Sequence, residues 1–381
     1  MLKAVIKVGI ALSLSGHFAA QGNQAQHGLL LWAEDVNNTG GLFVRDRGGK
    51  QSVELTVHDD ESRREPAAAR AEELIVKDRA DILIGPYSSV LTLAVAPVAE
   101  RYRKAMWNHG GSSDAILRGS FHFTVSIPSP ASRYFVGILE MVKALDPSSS
   151  RVALLHGSSG TFPRAVISGA EVYAKENGLR VILKAPYPPT LAGFASLVAR
   201  VAASRPDVIL GVGRTEDDLR LACQLRTQRV GARVMGLVAT PIQLFGQNLG
   251  KDANGFFGPS QWEPGVRGQP DVGPTSAEFV ARFRDRFRKE PDYPAAQAYA
   301  AGLVAQRCVE SAGTLQDEPV RKVANELALT TFYGGFELDA TTGEQIGHKM
   351  LVIQWQGKTK RIVWPPEMAE ARPQVPSHPY I

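Results

Sequence analysis

Short apolar runs rich in Val, Ile and Leu alternate along this chain with amphipathic stretches of helical length. A strand that reads as nearly continuous apolar sequence is buried on both faces, which places it in a parallel sheet covered by helices; the class is α/β. The runs are Val5 to Leu12, Val53 to His58, Ile82 to Ile84, Ala105 to Trp107, His122 to Val125, Arg151 to His156, Arg180 to Leu183, Val208 to Gly211 and Arg233 to Gly236. Between them Gln24 to Val36, Pro66 to Lys77, Leu91 to Tyr102, Arg133 to Ala144, Ala165 to Asn177, Phe194 to Ala203 and Asp217 to Gln228 read as helices. Gly178 and Gly40-Gly41 stand where helices stop, and Pro66 where a first turn tolerates a missing donor. So many strands are more than one sheet needs, and 381 residues exceed what one core organises, so two lobes are expected.

The pattern changes after residue 250. Ser276 to Arg288, Pro294 to Ser311 and Val320 to Leu329 read as helices, and Phe336 to Leu338, Met350 to Trp355 and Arg361 to Val363 as short strands. The Pro-rich end from Pro365 reads as an extended strap.

Composition removes whole classes of function. No segment reaches the roughly 18 apolar residues of a membrane span. The net charge of +5 is scattered, without the basic block and interleaved aromatics of a nucleic-acid surface, so no nucleic-acid partner is expected. Met1 to Ala20 has the basic start, apolar stretch and small residues of a signal peptide, but Val5-Ile6-Lys7-Val8-Gly9-Ile10 alternates as a first strand, and Ser15-Gly16 breaks the run before a helix beginning near Gln21. It is taken as mature sequence whose export signal has been removed. The two cysteines, Cys223 and Cys308, are too far apart for a zinc knuckle or a short-spaced redox pair.

Ligands in doubly wound sheets sit outside the carboxyl ends of strands, where helix N-termini offer unpaired N–H groups. Ser88-Ser89 stands between a strand and a helix and can hold a carboxylate without an arginine, although the same pattern describes an ordinary N-cap serine. Asn108-His109-Gly110-Gly111-Ser112-Ser113 follows the next strand, and its glycines let the backbone approach a ligand. Arg214, after Gly211-Val212-Gly213, either faces a cleft or is plain surface.

Enzyme motifs are missing. His109-Gly110-Gly111 is similar to an esterase oxyanion loop, yet there is no Gly-x-Ser-x-Gly elbow. His58-Asp59-Asp60-Glu61 has no companion cluster at metal-ligand spacing and reads as a solvated turn. Gly211-Val212-Gly213 is too short for a dinucleotide fingerprint, and nothing supports a cofactor.

From about Ile6 to Pro366 the chain resembles the type I periplasmic binding proteins of the branched-chain amino acid ABC transporter family. The resemblance lies in Ile6-Lys7-Val8-Gly9 through Leu14-Ser15-Gly16, in Ala33-Glu34-Asp35-Val36-Asn37 to Gly40-Gly41-Leu42, and in Val57 to Ser62. It continues through Ile84-Gly85-Pro86-Tyr87-Ser88-Ser89 and Phe194 with Pro206-Asp207-Val208. It implies two doubly wound lobes with central parallel sheets, joined by three crossovers near Thr124, Trp262 and Gly334. One lobe then spans residues 1–124 plus 263–333 and the other 125–262 plus 334–364, followed by a tail, 365–381. It puts Cys223 and Cys308 on helices of different lobes, where a bridge would lock the clamp, so two free thiols are expected.

The resemblance further implies a binding protein, not an enzyme, working in the periplasm or otherwise outside the cytoplasm with the membrane permease of an ABC importer. Ser88, Gly110 and Ser112 fall at its carboxylate contacts, with Ser89 and Gly111 beside them. Gln21 replaces an aromatic residue over the ligand, Phe18 lies in the same loop, and Phe162 is near the aromatic lid position. Pro128 and Val238 stand where relatives neutralise an ammonium with acids, so a hydrophobic or aromatic carboxylic acid is the expected ligand. Glu216 or Glu263 can restore that charge from a shifted position, which keeps amino acids and amides open. A ligand sensor on the same fold is the alternative of another class.

Overall fold

The computed structural model describes residues 5–119, 121–189 and 191–376; residues 1–4 and the last five of the tail lie outside them. In chain order the elements begin with β1 (Ile6–Leu12), α1 (Ala19–Asn38), β2 (Leu42–Val44), β3 (Gly49–Gln51), β4 (Val53–Asp59), α2 (Arg64–Val76), β5 (Ile82–Ile84), α3 (Ser89–Arg101), β6 (Met106–Asn108), α4 (Asp114–Arg118) and β7 (Thr124–Ser126). Next come α5 (Val136–Leu145), β8 (Arg151–Gly157), α6 (Thr161–Glu176), β9 (Arg180–Tyr187), α7 (Ala195–Ser204), β10 (Val208–Val212), α8 (Thr215–Thr227), β11 (Val234–Leu237), α9 (Gln243–Leu249) and β12 (Phe257–Ser260). The chain ends with α10 (Ser276–Phe287), α11 (Tyr293–Ala312), α12 (Asp317–Glu326), β13 (Leu329–Thr331), β14 (Gly334–Phe336), β15 (Leu351–Gln356) and β16 (Thr359–Trp364).

Two compact units result, Met1–Pro130 with Val266–Lys349 and Ala131–Gly265 with Met350–Ile381, so the chain passes between them three times. The first unit holds a parallel sheet in the order β4-β1-β5-β6-β7. Helices α2 and α3 cover one face, closing a core around Ala67, Leu74, Leu83, Leu91 and Val95. On the other face α1 lies along α11, and the approach is close because a Cβ at Gly28 would meet the Ala295 carbonyl at 2.1 Å. With both faces covered, β1 is buried from Val8 to Leu12, which is why it reads as an apolar run. Within the stretch with a leader's composition, Ile6–Leu12 forms an interior strand, flanked by β4 and β5.

The second unit has a seven-stranded sheet, β16-β15-β12-β11-β10-β8-β9, parallel from β9 to β12 and antiparallel at β15 and β16. Phe135, Ile138, Leu154, Ile167, Leu210 and Phe257 anchor its core. Strand β12 reads Phe-Gly-Pro-Ser and was not expected, since glycine and proline argue against a central strand. The tail is tied down, with Gln354 Nε2 donating to the Gln374 carbonyl at 2.8 Å and Val375 packed on the core.

Several expectations change. Leu329 ends no helix; it opens β13, paired with β14. The passages lie at 130/131, 265/266 and 349/350, against the expected Thr124, Trp262 and Gly334. The third differs most, and Gln345 is the reason. Its buried Nε2 donates to the carbonyls of Ile127 and Gly335 at 3.1 Å each, while Oε1 accepts from the amides of Glu337, Gly347 and His348 at 3.2, 2.8 and 3.3 Å. One amide thus holds residues 335–348 to the first unit. The acidic run after His58 is not a solvated turn either. Asp60 is fully buried, accepting from Ser13 Oγ at 2.6 Å and the Ser62 amide at 2.8 Å, and Asp59 accepts from the amides of Leu14 and Ser15. These carboxylates shape the β1–α1 loop. Cys223 lies exposed on α8 and Cys308 buried on α11, both free.

Candidate functional site

In the first unit the chain leaves β1 toward β4 on one side and returns to β5, β6 and β7 on the other. The order reverses between β1 and β5, and the carboxyl ends of those strands open the crevice where such sheets take ligands. Phe18 follows β1 and Tyr87 follows β5, and their rings meet edge to face at 5.8 Å. Tyr87 Oη lies 2.5 Å from Tyr293 Oη, at the start of α11.

Ser88 is the N-cap of α3 and has φ 79° and ψ 149°, a conformation that L-residues adopt at a cost of about 1–3 kcal/mol. The first intrahelical bond of α3 runs from the Thr92 amide to the Ser88 carbonyl at 3.0 Å, so the amides of Ser89 and Val90 come before it. Neither has a partner among the described residues. Anions are favoured at such a helix end, where N–H groups and the dipole act together. Ser88 Oγ sits at 3.5 Å from the Leu91 amide, a weak cap.

Ser89 is placed differently from Ser88. Its buried Oγ accepts from the amides of Ser112 and Ser113 at 3.2 and 2.9 Å, so the hydroxyl holds the neighbouring loop. Gly110 bridges to Tyr87, and a Cβ there would meet Tyr87 Cα at 2.7 Å. At Gly111 a Cβ would meet Thr92 Oγ1 at 2.4 Å. Both positions demand glycine for space. Ser112 is buried with its amide committed to Ser89. Gln21 lies in the first turn of α1, half-buried, its Oε1 without a partner.

His109, weighed in the sequence as part of an esterase-like loop, has a structural place. Its fully buried Nδ1 lies 2.7 Å from the Gly85 carbonyl, which can only accept, so Nδ1 carries the proton and Nε2 is an unpartnered acceptor. Burial pushes its pKa down to about 4, against the opposing pull of the Gly85 bond. The imidazole is thus neutral at neutral pH and props the β5–β6 edge.

Phe162 and Arg214 belong to the second unit, whose order reverses between β8 and β10. Phe162 lies in the first turn of α6, edge to face with Tyr134 at 5.1 Å, half-buried on the core. Arg214 caps α8, exposed, with no ion pair among the described residues. Before it, Gly213 is hemmed in: a Cβ would meet Tyr187 Oη at 2.1 Å and Asp217 Cβ at 3.0 Å. Asp218 is wholly buried behind it, accepting from the Ala239 amide at 2.9 Å, and burial pushes its pKa up to about 8. Pro128 is buried in the first unit, and Val238 packs on the second unit's core. Glu263 forms a buried pair with Lys360 at 2.8 Å, so its charge is already matched. Glu216 is exposed.

A separate cavity of about 540 Å³ in the first unit is lined by Trp32, Asp35, Arg282, Tyr299 and Leu303. Asp35 there already pairs with Arg282 and Tyr299, so its polar floor is satisfied from within. Among the described residues no group of His, Cys, Asp and Glu is arranged to hold a metal ion, and no helix is long and apolar enough to cross a membrane.

Residues 5–360 match the family model described as periplasmic binding protein. The chain belongs to that family. This periplasmic binding protein is 23% identical over 300 residues to the Leu/Ile/Val-binding protein homolog 8 of Brucella abortus, covering 76% of this chain and 72% of the relative. A leucine-binding protein of Thermotoga maritima superimposes with a TM-score of 0.80 at 19% identity, over 95% of this chain and 99% of that one. A solute-binding protein of an R. palustris ABC transporter, solved in complex with benzoate, gives 0.76 at 18% identity over 94% and 96%. The likeness to these solved structures gives the chain a type I periplasmic binding fold.

Of the residues singled out from sequence, Phe18, Ser88, Ser89, Gly110, Gly111 and Ser112 gather at the carboxyl ends of β1, β5 and β6 in the first unit. Tyr87 and Asn108 were noted in the sequence within their loops without a role for either, and Tyr293 was missed. Tyr293 has no signal near the others in the sequence; Asn108 had one, standing between a strand and two glycines.

Proposed function

We propose that this periplasmic binding protein works outside the cytoplasm as the solute-capturing component of an ABC importer. Its ligand is a small hydrophobic or aromatic carboxylic acid, enclosed by hinge closure and presented to a membrane permease. The observation that carries this reading is the N-terminus of α3 at the reversal point of the first sheet. Ser88 is held there at positive φ, and the amides of Ser89 and Val90 stand ahead of the first helical bond. That arrangement receives a carboxylate, and the Phe18–Tyr87 aromatic pair supplies an apolar wall beside it. Phe162 and Arg214 are assigned to the lid.

An ammonium group fares worse. Pro128 and Val238 carry no charge, and Glu263 already has Lys360, so a buried ammonium would lack a partner at a cost of several kcal/mol. The benzoate complex of the R. palustris relative agrees with this preference. The exposed Glu216, with no ion pair among the described residues, supports the second reading, an α-amino acid such as the leucine of the Thermotoga relative.

A thermal-shift screen against benzoate, 3,4-dihydroxybenzoate, leucine, isoleucine and simple amides tests both, because a ligand that binds only the folded state raises its apparent stability. The expected hits are acids lacking an amine. Hits confined to α-amino acids would replace the first reading by the second. Replacing Ser88 and Ser112 together by Ala is expected to weaken binding by about 1–3 kcal/mol; unchanged affinity would move the carboxylate elsewhere.

A further inference from the structure

The two loops that form the first unit's site are coupled through one side chain. Asn108, the last residue of β6, is fully buried and saturates its carboxamide. Oδ1 accepts from the Gly111 amide at 2.7 Å, and Nδ2 donates to the Gly111 carbonyl at 2.7 Å. Both polar groups of one residue are thus gripped by one side chain. Nδ2 also donates to Ser126 Oγ at 3.0 Å, on β7. The hydroxyl of Thr92 lies 2.9 Å from the Ser88 carbonyl and 3.3 Å from Asn108 Oδ1, which links the strained cap of α3 to the same amide.

From this geometry we infer that Asn108 is a positioning residue of the ligand site, setting the Gly110–Ser113 turn and, through Thr92, the Ser88 cap, so that carboxylate affinity depends on a side chain with no access to the ligand. The inference rests on the carboxylate reading of this site. Three features make the assignment specific to Asn. The grip needs a donor and an acceptor on one planar group, which Asp offers only when protonated and Leu not at all. The space is closed, because Gly111 has no room for even a methyl group. The amides of Gly111, Ser112 and Ser113 are taken by Asn108 and Ser89, so the turn is held from within and its placement does not wait for ligand.

The test is Asn108→Asp, isosteric and titratable, in the full chain with benzoate as probe. The new carboxylate cannot donate to the Gly111 carbonyl and sets a negative charge beside the anion site. Benzoate binding at about pH 8 is expected to fall at least tenfold, and to return to within about threefold of wild type near pH 5, where the raised pKa of a buried acid restores the donor. A residue that only stabilised the fold would give no such recovery. Thr92→Val, which keeps the volume and removes the link to Ser88, is expected to weaken benzoate by roughly threefold to tenfold and serves if the first variant does not fold. Ligand-free amide exchange over residues 111–113 supplies a second readout, and protection there is expected to drop in Asn108→Asp. Wild-type affinity in Thr92→Val, or unchanged exchange together with wild-type affinity in Asn108→Asp, overturns the inference. If the wild type itself binds no carboxylic acid, the site reading fails, and the exchange result alone then decides whether Asn108 positions the turn.

Discussion

Ser129 Oγ and His348 Nδ1 lie 2.6 Å apart, joining two buried residues that each stand just before a passage out of the first unit. His348 also stacks on Tyr333 at 4.4 Å, and Tyr333 Oη accepts from Gln297 Nε2 at 3.1 Å. Ser129→Ala leaves the imidazole without this partner and is expected to cost about 1–2 kcal/mol. His348→Phe keeps the stack and loses the bond, and the double variant should be much less harmful than the sum of the two. Denaturation midpoints of the four proteins measure this; strict additivity would show that the pair does not interact.

Lys360 and Glu263 are 11% and 5% exposed in their side chains, so neither charge is solvated. Lys360→Met leaves a buried carboxylate without its counterion and is expected to destabilise by about 3 kcal/mol. Adding Glu263→Gln should return most of the loss. A single variant as stable as wild type would remove the pair from the list of stabilising contacts.

Asp218 makes stability depend on pH. Burial raises its folded pKa to about 8, above the ordinary value of 3.8, so the folded state binds the proton more tightly than the unfolded chain. Its contribution is therefore full at acid pH and is lost as pH rises from about 4 to about 8. Asp218→Asn cannot titrate and should show a flatter fall in melting temperature between pH 5 and pH 8, by several degrees. Identical slopes would mean that the acid ionises without penalty.

Gly213→Ala drives a methyl into Tyr187 Oη, the nearest atom at 2.1 Å, and Tyr187 is buried and cannot swing aside. A loss of about 1–3 kcal/mol is expected. Tyr187→Phe in the same chain removes the obstructing oxygen and should recover part of it, whereas Gly193→Ala, which meets nothing within 4 Å, should be neutral. Differential scanning calorimetry of these variants checks the order.

The thiols should differ in reactivity. Cys223 is exposed, while burial pushes Cys308 up to about 12. A thiol reagent at neutral pH is expected to modify one cysteine in the native protein and two after unfolding. Two fast-reacting thiols in the native protein would show that α11 opens.

Strands buried on both faces were legible because sheet burial writes itself as an apolar run, and the helices between them because one face stays polar. β12 was not, since Phe257-Gly258-Pro259-Ser260 lacks that signature and is recruited by β11 and β15 instead. Within the site, Ser88 and Gly110 were legible because strand-to-helix turns mark the carboxyl edge of such a sheet. Ser89 carried the same signal, yet its hydroxyl turned inward to the Ser112 and Ser113 amides, a choice set by three-dimensional packing. Asp60 was misread for a related reason: its partners Ser13 and Ser62 are supplied by two different loops.

Helix α11 closes the face of the first unit that α1 leaves open, with Gly302 pressed against the indole of Trp32. Yet α11 begins at Tyr293, after the whole run from Ala131 to Gly265 that builds most of the second unit. On a ribosome adding about 5–20 residues per second, Trp32 and its neighbours on α1 leave the exit tunnel well over ten seconds before the helix that will cover them. The α1 face of the first unit therefore stays apolar side outward until that later helix arrives. A nascent chain arrested before Tyr293 should bind holdase chaperones at α1, and release them once Gly302 has emerged.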